Sequence, residues 1–425
     1  MELQHIAEQA LERMRTQGFD AARADASRSE STELNIAHNE PSLLRSTRAH
    51  KLVLTGIVDA RLASTELSDL SEASLREAVA ALHANALAAP QDGANALTAG
   101  QTARIAQGPL QADEAVLADK VAELLDFRAR EAPLMMLEEG FAAHTRVQSR
   151  TLSSGGSDLA CEIGWYGLSA FGSAREGKRT SSFNHADGSA HDLAAQPAQR
   201  YFGIEGLLRD TPRQLDATPI SAKFVGDVVL TPPAVASLLS WLHGQIGDLQ
   251  LIAGTSLYRA QVGEVVASPH LSLRSRFDAP GVAALSADGF PTPPVEVLRA
   301  GRLLCLTPSL YASRKTGLPH VPVAAAGWEL AAGDTALTDV LAGVALGALV
   351  GRLSMGHPAT NGDFSGVIKN SFRLEGGAVG GALREVMITG NVAQMLRDVV
   401  AVSRERIDTG SSCLPWLRVR GLHFS

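Results

Sequence analysis

Gly226-Asp-Val-Val-Leu-Thr-Pro-Pro-Ala-Val-Ala-Ser-Leu-Leu-Ser-Trp-Leu-His-Gly-Gln-Ile246 reads as a strand running into a helix. Val228 to Leu230 is a short apolar run. Thr231 suits an N-cap, and Pro232 falls at the first helical position, where the missing N–H costs nothing. Val235, Leu238, Leu239, Leu242 and Ile246 then repeat at the spacing of one buried helical face. Ser240, Trp241, Gly244 and Gln245 fall on the other face.

Around this element, composition sets the class. The chain has 425 residues, 45% hydrophobic and 20% charged, in the range of an ordinary globular protein. That length suits two or three domains. With 38 basic and 45 acidic residues the formal net charge is -7, and no basic run offers an electrostatic footprint for nucleic acid. Cys161, Cys305 and Cys413 are few, odd in number and widely spaced, which predicts reduced thiols and a cytoplasmic setting. The N-terminus lacks the basic start and apolar core of a signal peptide. The longest apolar run, Val340 to Val350, is too short to span a bilayer and reads as a buried helix or strand.

In chain order, residues 3–17 read as an amphipathic helix stopped by Gly18. A β-rich stretch follows, with a turn at His38–Pro41 and one long or two short strands over Lys51–Leu62. Ser71–Leu87 is a second helix, residues 89–112 are loop-like, and a helix capped by Asp113 runs to about Arg130. Strands are expected over His144–Leu152, Leu159–Tyr166 and Leu168–Arg175, then a helix over Pro197–Leu215. The order helix, antiparallel strands, helix thus occurs twice, which predicts a structural repeat without residue-level identity. Beyond Thr218, strands are expected over Leu249–Tyr258 and Val262–Leu273, and a hairpin over Val295–Leu306. Strands Asn370–Leu374 and Ala382–Thr389 flank a glycine-rich turn, then come a helix over Val392–Val402 and a final strand over Leu417–Leu422. Strands without regular crossover helices predict an α+β fold. It divides into an N-terminal α+β domain, 1–215, and a C-terminal β-rich domain, 216–425.

The strand and helix of 226–246, taken with several C-terminal segments, resemble the TldD/TldE (PmbA) family, the so-called modulators of DNA gyrase. Those segments are Pro294–Leu304, Leu310–Gly317, Gly362-Asp-Phe-Ser365 after the loop His357–Asn361, Arg384–Asn391 and Cys413–Leu422. In the TldD branch the helix carries His-Glu-x-x-x-His. Aligned through Leu238-Leu239, this chain has Ser240 and Gln245 at the two histidines and Trp241 at the glutamate. Zinc takes imidazole, thiolate or carboxylate ligands, and its water needs a base. The three residues supply neither, as in the TldE branch.

The resemblance implies a β-rich C-terminal domain forming part of a chamber, no cofactor in this chain, and zinc on a TldD-like partner subunit. It implies a heterodimeric metalloprotease that degrades unfolded peptides or trims leader peptides, and leaves open whether the chain alone forms a homodimer. The expected substrate-channel residues are Ser240, Trp241, Gln245, Asp363 and Ser365. Each also has a plain reading, as packing, solvated or turn-capping groups. Two alternatives stand beside the catalytically silent subunit. One is an independent metallopeptidase using other ligands, such as Cys413 with His243. The other is a non-catalytic, peptide-binding homodimer. His185-Ala-Asp-Gly-Ser-Ala-His-Asp192 gathers possible ligands but reads as a solvated loop, and Gly376–Gly381 reads as a hairpin turn rather than a dinucleotide loop.

Overall fold

The computed structural model describes residues 3–324 and 326–425; Met1 and Glu2, the start of the N-terminal stretch, lie outside them. The first half contains α1 (Leu3–Gln17), β1 (Ala21–Ala37), β2 (Glu40–Val58), β3 (Arg61–Leu67), α2 (Glu72–Ala88), β4 (Thr102–Gln107) and α3 (Glu114–Glu131). It continues with β5 (Met135–Ser153), β6 (Asp158–Glu176), β7 (Arg179–Thr180), β8 (Asn184–Ala190) and α4 (Ile204–Arg213). These strands form one sheet in the order β3-β2-β1-β5-β6-β4, with β7 and β8 also on β6. The order α1, β1–β2–β3, α2 is answered by α3, β5–β6–β8, α4, and β1 meets β5 antiparallel at the centre.

The helices cover one face of this sheet in two separate patches. Ala22, Ala24, Ala26, Leu52 and Leu54 pack under α1 and α2. Ile36, Ala142, Leu168 and Ala170 pack under α3 and α4. Between them the same face carries a charged row, because side chains two residues apart on a strand share a face. Arg48 pairs with Glu30 at 2.8 Å, Arg146 reaches both Glu30 and Glu162, and Gln148 donates to Glu162 at 2.9 Å.

The second half contains β9 (Phe224–Leu230), α5 (Pro232–Ile246), α6 (Asp248–Ala253), β10 (Leu273–Ser275), β11 (Glu296–Arg299), β12 (Arg302–Leu303), α7 (Leu310–Thr316) and β13 (Trp328–Leu330). Then come α8 (Leu337–Ala342), β14 (Leu346–Val350), β15 (Arg352–Ser354), β16 (Asp363–Lys369), β17 (Ser371–Glu375), β18 (Ala378–Leu383), β19 (Val386–Asn391), α9 (Val392–Arg397), β20 (Val399–Asp408) and β21 (Ser412–Phe424). They build a mixed sheet in which β9 lies between β14, parallel, and β21, antiparallel. Val228 and Leu230 pack in the main core with the apolar face of α5, and Val229 packs on the opposite side with Val340 and Val344. A strand buried on both faces has to be apolar throughout, which is why Val228–Leu230 reads as an unbroken run.

Several expectations are corrected. Leu249–Tyr258 is not β: it forms α6, ended by Gly254 at φ 70°, with Leu251 buried and Leu249 exposed. Val262–Leu273 is irregular, because its backbone is stitched to the 296–303 hairpin, with Val266 and Ala267 N–H both donating to Gly301 O. The loop 89–112 contains β4, a half-exposed edge strand parallel to β6. The segment 185–190 is strand β8 on β6, not a loop. The helix from Val392 ends at Arg397, since the β-branched run after it pairs with β21. The run Val340–Val350 is shared between α8 and β14. Thr231 sits at the N-cap of α5 without a side-chain cap; prolines at 232 and 233 remove the nearest donors, and its hydroxyl donates to Gly351 O at 2.7 Å. The glycine-rich turn is a hairpin: Gly376 and Gly377 have φ 55° and 80°, and a Cβ on Gly377 would lie 2.8 Å from Ala342 Cα.

The two sheets meet through polar contacts. Asp92 accepts from Lys315 at 2.6 Å and from Tyr311 Oη at 2.9 Å, and Arg314 donates to Gly93 O. Lys315, then the Ala94 N–H and Tyr311, hold the Asp92 carboxyl down at about 2. A depressed carboxyl contributes stability above its unfolded pKa, lost as pH falls through the folded one. Asp92→Asn therefore lowers the melting temperature at pH 6, and the difference from wild type shrinks towards pH 2. Thermal unfolding at several pH values measures this. Leu238→Ala, a fully buried truncation on α5, costs about 2–5 kcal/mol in chemical unfolding.

Candidate functional site: a cleft along helix α5

Once Val235, Leu238, Leu239, Leu242 and Ile246 are fixed inward, the residues at 237, 240, 241 and 244 form the adjoining stripe of α5. That stripe is one wall of a cleft of about 720 Å³. Ser237, Ser240 and Gly244 are small and make the space, and Trp241 projects along it. The opposite wall is the end of β15 and the following segment, including Met355, His357 and Thr360. Among the described residues β15 pairs with one strand only, β16, and on its other side Leu353 O accepts from Ser237 Oγ at 3.4 Å.

Trp241 is held rather than loose. Its Nε1 donates to Ala359 O at 3.3 Å, and its ring meets Tyr258 edge-on at 6.1 Å. Gln245 is the main departure from the sequence reading. It is buried, not on an open face, because its amide ties two chain segments to α5. Nε2 donates to Thr360 O at 3.0 Å, and Oε1 accepts from Leu257 N–H at 2.9 Å. Ser240 is exposed in the cleft.

Asp363 and Ser365 lie on β16 and are not part of the cleft lining. Asp363 accepts from Asn391 and Asn361, at 2.8 and 2.7 Å, and these bonds hold its carboxyl below the usual range. Asn391 in turn caps α9. Ser365 stands opposite Thr389 in the ladder.

The structure does not bring Cys413 and His243 together. Trp328 is in register with Ser412 and Glu329 with Cys413, so Trp328 and Cys413 face opposite sides of the strand pair. His243 stacks on Trp328, with ring centroids 4.0 Å apart, and burial lowers its pKa to about 4. Burial, with Asp408 nearby, pushes the Cys413 thiol up to about 11. At neutral pH these are a neutral imidazole and an un-ionised thiol.

Sequence reasoning missed Ser237, Met355 and His357. The first was within reach, since position 237 extends the 240, 241, 244 stripe by one helical step. The other two come from a loop whose approach to α5 has no local signature. A zinc ion does not fit this lining: it offers hydroxyls, an indole, an amide and the imidazole of His357, against the three protein ligands that a catalytic site needs. Among the described residues, no group of three or more His, Cys, Asp or Glu is placed to share an ion.

Residues 224–425 match the family described as PmbA/TldA metallopeptidase C-terminal domain. That C-terminal domain belongs to the PmbA/TldD family. No curated protein matches it in sequence. Among solved structures, TldE from Thermococcus kodakarensis is 18% identical with a TM-score of 0.82, over 98% of this chain and 99% of that one. A candidate modulator of DNA gyrase from Bacteroides thetaiotaomicron is 21% identical with a TM-score of 0.85, over 99% and 98%. Another from Thermotoga maritima is 15% identical with a TM-score of 0.80, over the full length of both chains. At these identities the likeness is one of fold. Among the described residues, no helix is long and apolar enough to cross a membrane.

The Gln245 amide generates a prediction of its own. Gln245→Leu keeps the volume but strands two backbone groups, costing about 1–3 kcal/mol. Amide exchange at Leu257 should accelerate with it; an unchanged Leu257 exchange rate would show that the bond is not made in solution.

Proposed function

We propose that this chain is the metal-free, TldE-like subunit of a TldD/TldE-type zinc peptidase, and that its cleft helps to hold an extended peptide for a zinc-bearing partner. The observation that carries this reading is the lining of the cleft along α5. The positions that match the zinc ligands and base of the TldD branch are Ser240, Gln245 and Trp241, and all three fall in that lining. Two of them are spoken for: the Gln245 amide holds Thr360 and Leu257, and the Trp241 indole is anchored to Ala359.

The side of β15 that no strand covers, where Leu353 O meets only the Ser237 hydroxyl, supports the peptide part of the proposal. An extended chain laid along it would gain main-chain hydrogen bonds, which grip without demanding a sequence and so suit unfolded peptides or leader segments. Trp241 would give apolar contact and Ser240 a hydroxyl. Asp363 and Ser365 are assigned to the support of the 357–361 loop and the β16–β19 ladder. The partner's zinc would supply the activated water. A homodimer is the form expected without that partner, and three free cysteines fit a reducing cytoplasm.

The test is zinc content and peptide cleavage, first for this chain alone and then mixed with a family member carrying His-Glu-x-x-x-His. Near-zero zinc and no cleavage alone, with chelator-sensitive cleavage in the mixture, is the expected pattern. About one zinc per chain in the isolated protein would instead make it an independent metallopeptidase. Peptide binding without cleavage in the mixture would make it a peptide-binding protein. In the active mixture, Trp241→Ala should raise KM for an unfolded peptide about tenfold at unchanged zinc content.

A further inference from the structure

A second cavity, of about 400 Å³, lies at the junction of the two sheets, away from the cleft on α5. From the first half it is lined by Ser182 and Gln214. From the second half it is lined by Lys369 and Asn370, at the β16–β17 turn, and by Arg384 and Glu385, at the β18–β19 turn. Arg384 and Glu385 fall in a segment that carries the family resemblance, but none of these groups is among the site residues that the resemblance implies.

Three features of this cavity favour an anion, while the Asn370 Oδ1 on its wall, also buried without a hydrogen-bond partner among the described residues, asks for a donor. First, Gln214 is 8% exposed, and its Nε2 is buried without a hydrogen-bond partner among the described residues. Buried amides are nearly always satisfied, so an orphaned donor on a cavity wall asks for an acceptor. Second, Lys369 and Arg384 make no ion pair among the described residues; the neighbouring pairs are Arg213 with Asp210 and Arg373 with Glu375. Third, Arg352 stands directly opposite Lys369 in the β15–β16 ladder. Like charges facing each other across strands repel, and neither makes an ion pair among the described residues; Glu385 is the one carboxylate in the lining beside Lys369.

The turns that deliver these groups are themselves constrained. Asn370 and Glu385 both have positive φ, 52° and 56°, in residues that are not glycine. Such conformations hold only where the surroundings fix them. They bring two connections between strands that do not pair with each other to one cavity. Glu385 is the single carboxylate of the lining and limits its positive charge without cancelling it.

We propose that this junction cavity binds a small oxyanion, a carboxylate or a phosphate, between Lys369, Arg384 and the Gln214 amide. Ammonium and guanidinium groups together give the charge and directed donors that such anions take. The amide adds a neutral donor from the other half of the chain, so the ligand would bridge the two sheets. Carboxylate could come from the end of a peptide and phosphate from solution; the shared chemistry is the oxyanion.

The test is calorimetric titration of the full chain at low ionic strength. Three probes are used: inorganic phosphate, a short alanine-rich peptide with a free C-terminus, and the same peptide amidated. Saturable binding of phosphate or of the free-carboxylate peptide is expected, and the probe that binds identifies the source. Lys369→Met with Arg384→Met, both exposed positions, should weaken binding at least tenfold at unchanged melting temperature. Glu385→Gln should tighten it several-fold, and Gln214→Glu should abolish it. No saturable binding by any probe overturns the proposal and leaves the cavity to solvent. Equal binding by the amidated peptide, or binding that the double variant does not weaken, also overturns it. The readout needs neither a zinc partner nor cleavage, so it succeeds or fails independently of the peptidase reading.

Discussion

The packing of the apolar face of α5 on β9, β14 and β21 is the contact from which the C-terminal domain is built. β9 is covered on both faces, so it cannot shift register without exposing a valine or leucine on one side or the other. α5 follows it after one residue, and the helical period then leaves no choice about which side chains look outward. Ser237, Ser240, Trp241 and Gly244 line a cleft because five aliphatic neighbours are committed to the core. β15 lies across from them because the Thr231 hydroxyl and backbone pin the start of α5 to the end of β14.

Within the cleft, chemistry and architecture pull apart. The helix lines the cleft, yet its Trp241 indole and Gln245 amide are spent on holding loops. The Gln245 amide does for residues 257 and 360 what a metal ion could do for its ligands, fixing distant segments to one helix. Cys413 and His243, the two other donors with an affinity for zinc, are separated by the thickness of a sheet, and burial keeps both uncharged.

The sequence made much of this legible where a period was long enough to count. α1, α2, α3 and α5 are visible from their apolar spacing and caps, and the repeated order of elements in the first half is visible without any residue match. The misreadings share a cause. Leu249, Leu251 and Ile252 mimic alternation, but Gly247 and Gly254 bracket a single helical turn and a half. Val262 and Val265 look like strand residues, yet both are exposed, and the backbone beside them is claimed by a turn forty residues on. The site followed the same rule. Its helical wall could be read from spacing, whereas the burial of Gln245 and the approach of His357 depend on contacts more than a hundred residues apart.

The charged row across the N-terminal sheet has a consequence for cooperativity. Two apolar clusters sit on one continuous set of strands and do not touch through side chains across Glu30, Arg48, Arg146 and Glu162. The loss of one cluster is therefore transmitted to the other only through the backbone ladder of β1, β2, β5 and β6 and through ion pairs that salt weakens. Each helix-capped end can open as a local unit while the other stays closed, and ionic strength sets how tightly the two openings are coupled. A long two-part sheet of this kind bends most easily at its polar midline.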